Sequence, residues 1–357
     1  MKRLTLILLT VACAFTFAQA QNLKTPPVSK RASVSEWIGL TKVTINYHRP
    51  AVKGREIWGA LVPYNNGVPF PWRAGANDNT TLKFADDVKI EGKDLPAGKY
   101  GFHIIPSEKE WILIFSNDNQ AWGSFNYNPD HDALRISVEP QACEHVEWLK
   151  YEFVHLTDHS ADVELSWEKK KISFTVDVDV NAVTMKSIEG QLTHLAGFRW
   201  QAWNQAAQYC LRTDKNLEQG LAWADRSISG GFGSQKNFTT LMTKAQILDK
   251  LDRGEEAKPI KEEAMTLATN AELNQYGYQL LNQGLTKEAV HVFELNSQNN
   301  PDDPNVWDSL GEGYLANGQK EEAIKSLKKS LSLNPAPNVK ANSEKLLKLL
   351  GVSSDNE

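Results

Sequence analysis

This 357-residue sequence contains few cysteines, few long apolar runs and no excess of positive charge. It contains three cysteines, too few for a disulfide-stapled scaffold or a four-cysteine zinc site. Its formal net charge is −5, whereas phosphate recognition requires a basic face, so the composition argues against nucleic acid as a partner. What is present, with 41% apolar and 23% charged residues, is typical of a folded globular protein.

The N-terminus carries the three parts of a secretory signal peptide. Basic residues at positions 2 and 3 precede an apolar run from Leu4 to Phe17, and Ala18-Gln19-Ala20 follows as a small-x-small cleavage pattern. The run is shorter than the roughly 20 residues that a membrane span needs. Acylation of Cys13 is an alternative, but Thr10 is a poor residue three positions before such a cysteine. The sequence therefore predicts a signal peptide over residues 1–20 and a periplasmic, extracellular or outer-membrane-associated location.

The first half of the mature chain has a hydrophobic period of two. Ile172, Phe174 and Val176 alternate with polar residues, and turn sequences such as Pro96-Ala97-Gly98 separate short runs rich in β-branched and aromatic residues. Seven to nine such runs predict an antiparallel β-sandwich over residues 21–181.

The second half has a helical period. The pattern predicts a connecting helix over residues 182–199, helical repeats with a C-terminal capping helix over residues 200–350, and a tail over residues 351–357. No further segment is long and apolar enough for a bilayer span. The expected fold class is therefore multidomain, a β-sandwich followed by an α-helical solenoid.

The helical half repeats with a spacing of 34 residues. Gly311 and Ala323 recur as Gly277 and Ala289, at positions where two antiparallel helices approach too closely for a larger side chain. A proline follows the second helix of each unit and ends it, since proline lacks the donor that the helix needs. This spacing resembles the tetratricopeptide repeat (TPR), and two weaker units precede these two.

A second resemblance is carried by clustered segments of the β half. These segments include Tyr47-His48-Arg49-Pro50, Lys53-Gly54-Arg55-Glu56-Ile57-Trp58-Gly59, Val62-Pro63-Tyr64, Trp72-Arg73-Ala74-Gly75-Ala76-Asn77, Gly92-Lys93-Asp94-Leu95-Pro96-Ala97-Gly98-Lys99-Tyr100 and Trp167-Glu168. Together they resemble DUF2911, a domain family of unknown function found in secreted proteins of the Bacteroidetes group. The resemblance covers about residues 24–179 and implies a fold and an exported location, but no catalytic role.

The stretch from Tyr47 to Asn77 is the densest in polar and aromatic side chains. Arginine offers a planar fork of donors to a carboxylate or phosphate, and tyrosine and tryptophan offer flat faces to sugars and aromatic ligands. The alternative is that this long loop packs itself with tryptophan and fixes its backbone with arginine-to-carbonyl hydrogen bonds. The candidate ligand-binding residues are Tyr47, Arg49, Arg55, Trp58, Trp72, Arg73, Asn77 and His103.

Metal and cofactor motifs are not found in the sequence. Asp130-His131-Asp132 lies in a predicted turn, where such residues bond the backbone, and His155 and His159 lie about 13 Å apart if both are on a strand. Gly-rich phosphate loops and G-x-S-x-G or H-E-x-x-H sequences are absent. We therefore expect neither a metal nor a cofactor, and no catalytic residue is assigned.

The resemblance to TPR proteins implies a protein or peptide partner in a groove lined by the first helix of each pair. The groove positions are Met242, Gln246, Asn274, Tyr278, Asp308 and Glu312. None of them is lysine or arginine, unlike the TPR proteins that grip a peptide C-terminus with basic residues. A peptide held through asparagine side chains is one alternative, and filling of the groove by the chain's own β domain or joining helix is the other.

These observations predict an exported binding or scaffold protein. The solenoid would hold a protein partner, and the β-sandwich would hold a small molecule, a glycan or a second protein. The alternative is a hydrolase or lyase that acts on an envelope or dietary polymer through the Tyr47–Asn77 region, with His103 nearby. Cys143 and Cys210 fall in different predicted domains, so we expect two free thiols.

Overall fold

A computed structural model describes residues 25–64 and 70–352. The predicted signal peptide and most of the predicted tail lie outside the described residues. The chain divides into two compact units, Met1–Ser187 and Ile188–Glu357, named here the β unit and the helical unit. In the part of the chain that is described, no helix is long and apolar enough to cross a membrane.

The β unit is built from two antiparallel sheets. Its strands are β1 (Lys30–Ile38), β2 (Thr41–Arg49), β3 (Thr80–Phe84), β4 (Val88–Ile90), β5 (Lys93–Leu95), β6 (Gly98–Ile105), β7 (Trp111–Ser116), β8 (Asp132–Val138), β9 (Gln141–Val154) and β10 (Ser160–Asp177). The first sheet has the order β1-β2-β3-β6-β7-β8, and the second has the order β5-β4-β10-β9. The predicted antiparallel sandwich is confirmed.

The two sheets share one hydrophobic core. Phe174 of β10 lies 5.8 Å from Phe102 of β6 and 5.7 Å from Phe115 of β7, measured between ring centroids, so the sheets pack face to face. All three rings are buried and belong to the same hydrophobic core. β1 is an edge strand, and although its side chains alternate in exposure, only Ile38 is fully buried.

Helices make up most of the described chain after β10. They are α1 (Val180–Leu192), α2 (Trp200–Thr213), α3 (Leu217–Ile228), α4 (Phe238–Lys250), α5 (Gly254–Leu267), α6 (Asn270–Asn282), α7 (Thr286–Asn299), α8 (Pro304–Ala316), α9 (Lys320–Ser332) and α10 (Pro337–Leu349). From α2 to α9 they pack as four consecutive pairs, and α10 packs against α8 and α9. The predicted solenoid with a terminal helix is confirmed.

Two glycines set the spacing within the last two helix pairs. A Cβ at Gly277 would lie 2.3 Å from Cε1 of Phe293, and a Cβ at Gly311 would lie 2.7 Å from Cδ2 of Leu327. Both distances are far shorter than a van der Waals contact, so α6 meets α7, and α8 meets α9, only because no side chain intervenes. The small residues of the 34-residue pattern therefore lie at these helix contacts.

Candidate functional site

The long connection from β2 to β3 is tied to both sheets of the β unit. Ala51 pairs with Trp148 of β9, and Val52 N donates to Glu147 O at 2.8 Å. Further along the connection, Trp72 and Ile104 of β6 exchange two backbone hydrogen bonds of 2.7 and 2.8 Å. These bonds hold the polar-aromatic stretch against the sandwich.

Four tryptophans form a cluster under this connection. The ring centroid of Trp58 lies 4.6 Å from that of Trp111, 5.7 Å from that of Trp72 and 5.9 Å from that of Trp167. The rings of Trp72 and Trp167 stack at 5.8 Å with an interplanar angle of 17°. Trp111 and Trp167 are fully buried, and Trp58 and Trp72 are half-buried. The two loop tryptophans therefore extend the core and do not stand free in solvent.

Each candidate arginine donates to backbone carbonyls. Arg49 Nε lies 2.8 Å from Leu149 O, and Arg73 Nη1 lies 2.9 Å from Asn77 O. Arg55 donates through Nε to Val52 O at 3.1 Å and through Nη2 to Ala51 O. These bonds fix the backbone of the connection, and they use only part of each guanidinium, which carries five N–H donors.

Arg73 also packs on two aromatic rings that the sequence analysis did not single out. Its guanidinium carbon lies 5.1 Å from the ring centroid of Trp122 and 5.5 Å from that of Phe125. The two rings stack on each other and are mostly exposed, at 63% and 55%. Burial lowers the pKa of Arg73, but an arginine stays charged at neutral pH.

Tyr47 and His103 lie in the interior of the β unit. Tyr47 is 5% exposed, packs edge-on against Tyr151 at 4.8 Å, and accepts the Tyr151 N–H at 3.2 Å. His103 is 2% exposed, with Nε2 lying 3.2 Å from Asn79 Nδ2 and Nδ1 lying 2.8 Å from Ser124 Oγ. Because Asn79 Nδ2 is a donor, Nε2 accepts and Nδ1 carries the proton of a neutral imidazole.

Burial is the main cause of the perturbed pKa of His103. It lowers the pKa to about 4, while the charge of Asp118 raises it and the charge of Arg73 lowers it further. The imidazole is therefore neutral near neutral pH. It joins β6 to the segment that contains Ser124 and acts here as a hydrogen-bonding core residue.

Two of the three histidines that were considered as metal ligands, His131 and His155, lie beside carboxylates. His131 Nδ1 lies 2.7 Å from Asp118 Oδ2, and His155 Nδ1 lies 2.9 Å from Asp162 Oδ2. The hydrogen bond to Asp118 raises the pKa of His131, which is exposed. Within residues 25–64 and 70–352, no group of three or more His, Cys, Asp or Glu is placed to hold a metal ion.

One cleft of about 460 Å³ brings together four of the eight candidate residues. This volume falls in the range of about 300–1,000 Å³ that is usual for small-molecule sites. Tyr47, Arg49, Trp58 and His103 are not among its lining residues. The lining comprises Val28, Ser29, Pro50, Ala51, Lys53, Arg55, Leu61, Val62, Trp72, Arg73, Gly75, Ala76, Asn77 and Trp167. We call it the Arg55–Arg73 cleft.

The helical unit separates its six candidate residues into two groups. Met242 is 5% exposed and packs with Phe238, Leu241 and Ala264, and Asp308 is 4% exposed. The packing of the helices therefore covers both side chains. The other four are half-buried on the first helices of successive pairs, and we call them the polar row: Gln246, Asn274, Tyr278 and Glu312.

A hydrogen-bond network covers Asp308 and reaches the polar row. Asn342 Nδ2 of α10 donates to Asp308 Oδ2 at 2.8 Å and to Glu312 Oε1 at 2.6 Å, and Ser343 Oγ donates to Asp308 Oδ1. Tyr278 Oη donates to Ser309 Oγ at 3.1 Å. Burial raises the pKa of both carboxyl groups, and it raises the pKa of Tyr278 to about 12.

The position of Asn342 in the repeat is visible in the sequence. Asn274, Asp308 and Asn342 follow one another at intervals of 34 residues, so they occupy the same position in successive units. Equivalent positions in stacked repeats face neighbouring units. This spacing places Asn342 beside Asp308, where the hydrogen bond between the two units forms.

Comparison with family models matches both units. The model of the family described as "Protein of unknown function (DUF2911)" matches residues 29–176, and a tetratricopeptide repeat model matches residues 304–337. Comparison with curated proteins found no match.

Several solved structures are similar to part of the chain. YrrB, described as a TPR protein with an unusual peptide-binding site, is 18% identical; the match covers 45% of this chain and 81% of that chain, with a TM-score of 0.28. The C-terminal part of a TPR repeat-containing protein from Cytophaga hutchinsonii is 20% identical and covers 45% of this chain and 62% of that one, with a TM-score of 0.31. PilF of Pseudomonas aeruginosa is 22% identical and covers 42% of this chain and 68% of its own, with a TM-score of 0.27.

The family matches agree in order and position with the two resemblances drawn from the sequence. The strands of the DUF2911 match form the two-sheet sandwich, and the TPR match spans the helix pair α8–α9. Residues 29–176 of the β unit therefore match the DUF2911 family, and residues 304–337 of the helical unit match a tetratricopeptide repeat.

Proposed function

We propose that the chain is an exported binding protein whose helical unit holds a protein or peptide partner and whose β unit holds a small ligand. The TPR match and the four stacked helix pairs support the first part, because stacked repeats of this kind present extended binding surfaces. The described residues supply no observation that favours the hydrolase or lyase alternative.

The polar row carries the proposal for a partner. Asn274 Oδ1 is buried and has no hydrogen-bond donor among the described residues. The carboxylate of Glu312 forms no ion pair within that part of the chain, although the charge of Lys345 lowers its pKa and partly opposes burial. A buried acceptor without a donor costs about 1–3 kcal/mol, so a ligand that brings donors gains affinity. The backbone N–H groups of an extended peptide are such donors.

Site-specific photocrosslinking tests the partner proposal on the full chain. A photoreactive residue replaces Gln246 in the polar row, and the matched control replaces Gln279, which is exposed on α6. We expect a crosslinked segment from a periplasmic protein at position 246 and not at position 279. A synthetic peptide of that segment is then expected to bind the Asn274→Ala chain about tenfold more weakly than the wild type. Equal crosslinking at both positions, or equal peptide affinity, would contradict the proposal.

The Arg55–Arg73 cleft supports a ligand for the β unit. It combines two arginines, an asparagine and tryptophan faces in one concavity of suitable volume. A thermal-shift screen of metabolites and glycans tests it, with Arg55→Gln as the variant and Lys109→Gln, an exposed lysine outside the cleft, as the control. We expect a compound that raises the melting temperature of the wild type and the control but not of Arg55→Gln. If no compound of any charge stabilises the wild type, the ligand role is refuted.

Export is supported by the signal-peptide pattern of residues 1–20. The test is N-terminal sequencing of the chain recovered from fractionated cells. We expect an N-terminus at Gln21 and recovery outside the cytoplasm. An intact Met1 in the cytoplasmic fraction would contradict the proposal.

A further inference from the structure

The lining of the Arg55–Arg73 cleft carries charge of one sign. Lys53, Arg55 and Arg73 line it, and none of its lining residues is an aspartate or a glutamate. The charge of the cleft lining is therefore opposite in sign to the formal net charge of the chain, which is −5. Concave sites of one charge sign focus the electrostatic field and attract counter-ions.

The three cations form no close ion pair in the described chain, although the charge of Lys53 is one of the causes that lower the pKa of Glu147. None of them forms an ion pair within 4.0 Å of a described aspartate or glutamate, in contrast with exposed lysines such as Lys89 and Lys236. The nearby carboxylate of Glu147 accepts the backbone N–H of Lys53 at 3.0 Å and contacts His145 at 3.3 Å. Glu147 is not among the lining residues, so its charge does not fill the cleft.

Donors remain available for a ligand. The described hydrogen bonds of Arg73 use Nη1 alone, which leaves Nε and Nη2, and those of Arg55 leave Nη1. Trp167, which lines the cleft and is 1% exposed, has an indole N–H with no acceptor among the described residues. The stacked faces of Trp72 and Trp167 give the same cleft an apolar wall.

We infer that the Arg55–Arg73 cleft binds a small molecule through an oxyanion, which is a carboxylate, phosphate or sulfate group. The rest of the ligand packs against the wall formed by Trp72 and Trp167. The planar arginine forks match the geometry of these groups, and Lys53 supplies a point charge. The inference rests on the proposed ligand role of the β unit and adds the charge of the ligand.

Heteronuclear NMR of the full chain tests the charge directly. The indole N–H signals of Trp72 and Trp167 report on the cleft, and each is assigned by substitution with phenylalanine. The probes are inorganic phosphate, sulfate, D-glucuronate and, as the neutral match to the last, D-glucose. We expect both signals to shift with one or more of the anions and not with glucose; phosphate and sulfate against glucuronate distinguish the two sources of an oxyanion.

Two variants locate the binding. Lys53→Gln removes a charge from an exposed side chain with no described ion pair, so folding is preserved, and we expect the midpoint of the anion titration to rise about tenfold. Lys109→Gln removes an equal charge outside the cleft and should leave the midpoint unchanged.

The outcomes separate this inference from the ligand role itself. Signals that respond to glucose alone would overturn the oxyanion while leaving a ligand in the cleft. Signals unmoved by every anion at high millimolar concentration, or midpoints equally changed by both variants, would overturn the inference. The screen proposed above would then still decide whether the β unit holds a ligand of another class.

Discussion

Acid should destabilise the β unit through one buried imidazole. His103 is 2% exposed, and its pKa of about 4 in the folded chain compares with 6.5 for an unperturbed histidine. Between these two values the unfolded chain binds a proton that the folded chain does not. The contribution to stability is therefore complete above the unperturbed pKa and is lost as the pH falls towards the folded pKa. Linkage gives a loss of about 2 kcal/mol at a pH of about 5, rising to roughly 3 kcal/mol below the folded pKa.

Hydrogen–deuterium exchange of the β6–β7 segment, residues 98–116, measures this loss in the full chain. The comparison is between the wild type and His103→Gln at each pH, which cancels the intrinsic pH dependence of exchange. His159→Gln, an exposed histidine of the same unit, controls for removal of a histidine. We expect the wild type and His159→Gln to lose about 2 kcal/mol more protection than His103→Gln between pH of about 7 and about 5. Equal losses in all three chains would refute the assignment of a neutral, desolvated imidazole.

Three further predictions concern packing, thiols and the polar row. Gly277→Ala should destabilise the helical unit by about 1–3 kcal/mol, because its Cβ would overlap the Phe293 ring. In the control Gly190→Ala, the new Cβ meets nothing within 4 Å, so the change should be neutral or stabilising by up to about 1 kcal/mol. Thermal unfolding of the two variants distinguishes these outcomes. Burial raises the pKa of both thiols, so a thiol reagent should modify half-buried Cys143 slowly and Cys210 only on unfolding; a chain with no reactive thiol after denaturation would contradict this. Glu312→Gln should stabilise the helical unit near neutral pH and not at acidic pH, because burial raises the pKa of a carboxyl that has no ion pair in the described chain. Chemical denaturation at the two pH values measures the change in stability. A variant that is less stable than the wild type at both pH values would contradict the prediction.

The periodic features of both units were predictable from the sequence, because period reports which side chains share a face. The alternation of β10 placed Ile172, Phe174 and Val176 in the core, and the 34-residue spacing placed Gly277 and Gly311 at helix contacts. A period does not carry over to irregular segments. The loop tryptophans Trp58 and Trp72 meet Trp111 and Trp167 only through the tertiary fold.

The sequence predicted which kinds of residue line the candidate site, but not the full set of residues that do so. Arg55, Trp72, Arg73 and Asn77 come from one continuous stretch and do share a cleft. Lys53 lies in the same stretch but was not predicted as a ligand-binding residue. Its side chain matters for binding because it forms no ion pair, and the sequence does not show which lysines are unpaired. In the helical unit, Met242 and Asp308 had the spacing of an exposed helix face, yet neighbouring helices cover them. Their roles in binding stay predictions.

The hydrogen bonds from α10 to α8 have a consequence for how the array can grow. Repeat proteins usually tolerate gain or loss of whole units, because each unit contacts only its neighbours in a generic way. Here Asn342 and Ser343 fit the carboxylate of Asp308, and the equivalent position one unit earlier is Asn274. A unit inserted after residue 336 would preserve this junction only if it carried an acid at the corresponding position. The terminal helix α10 is thus specific for the unit that carries Asp308. Duplication of units further upstream would leave its hydrogen bonds to Asp308 intact.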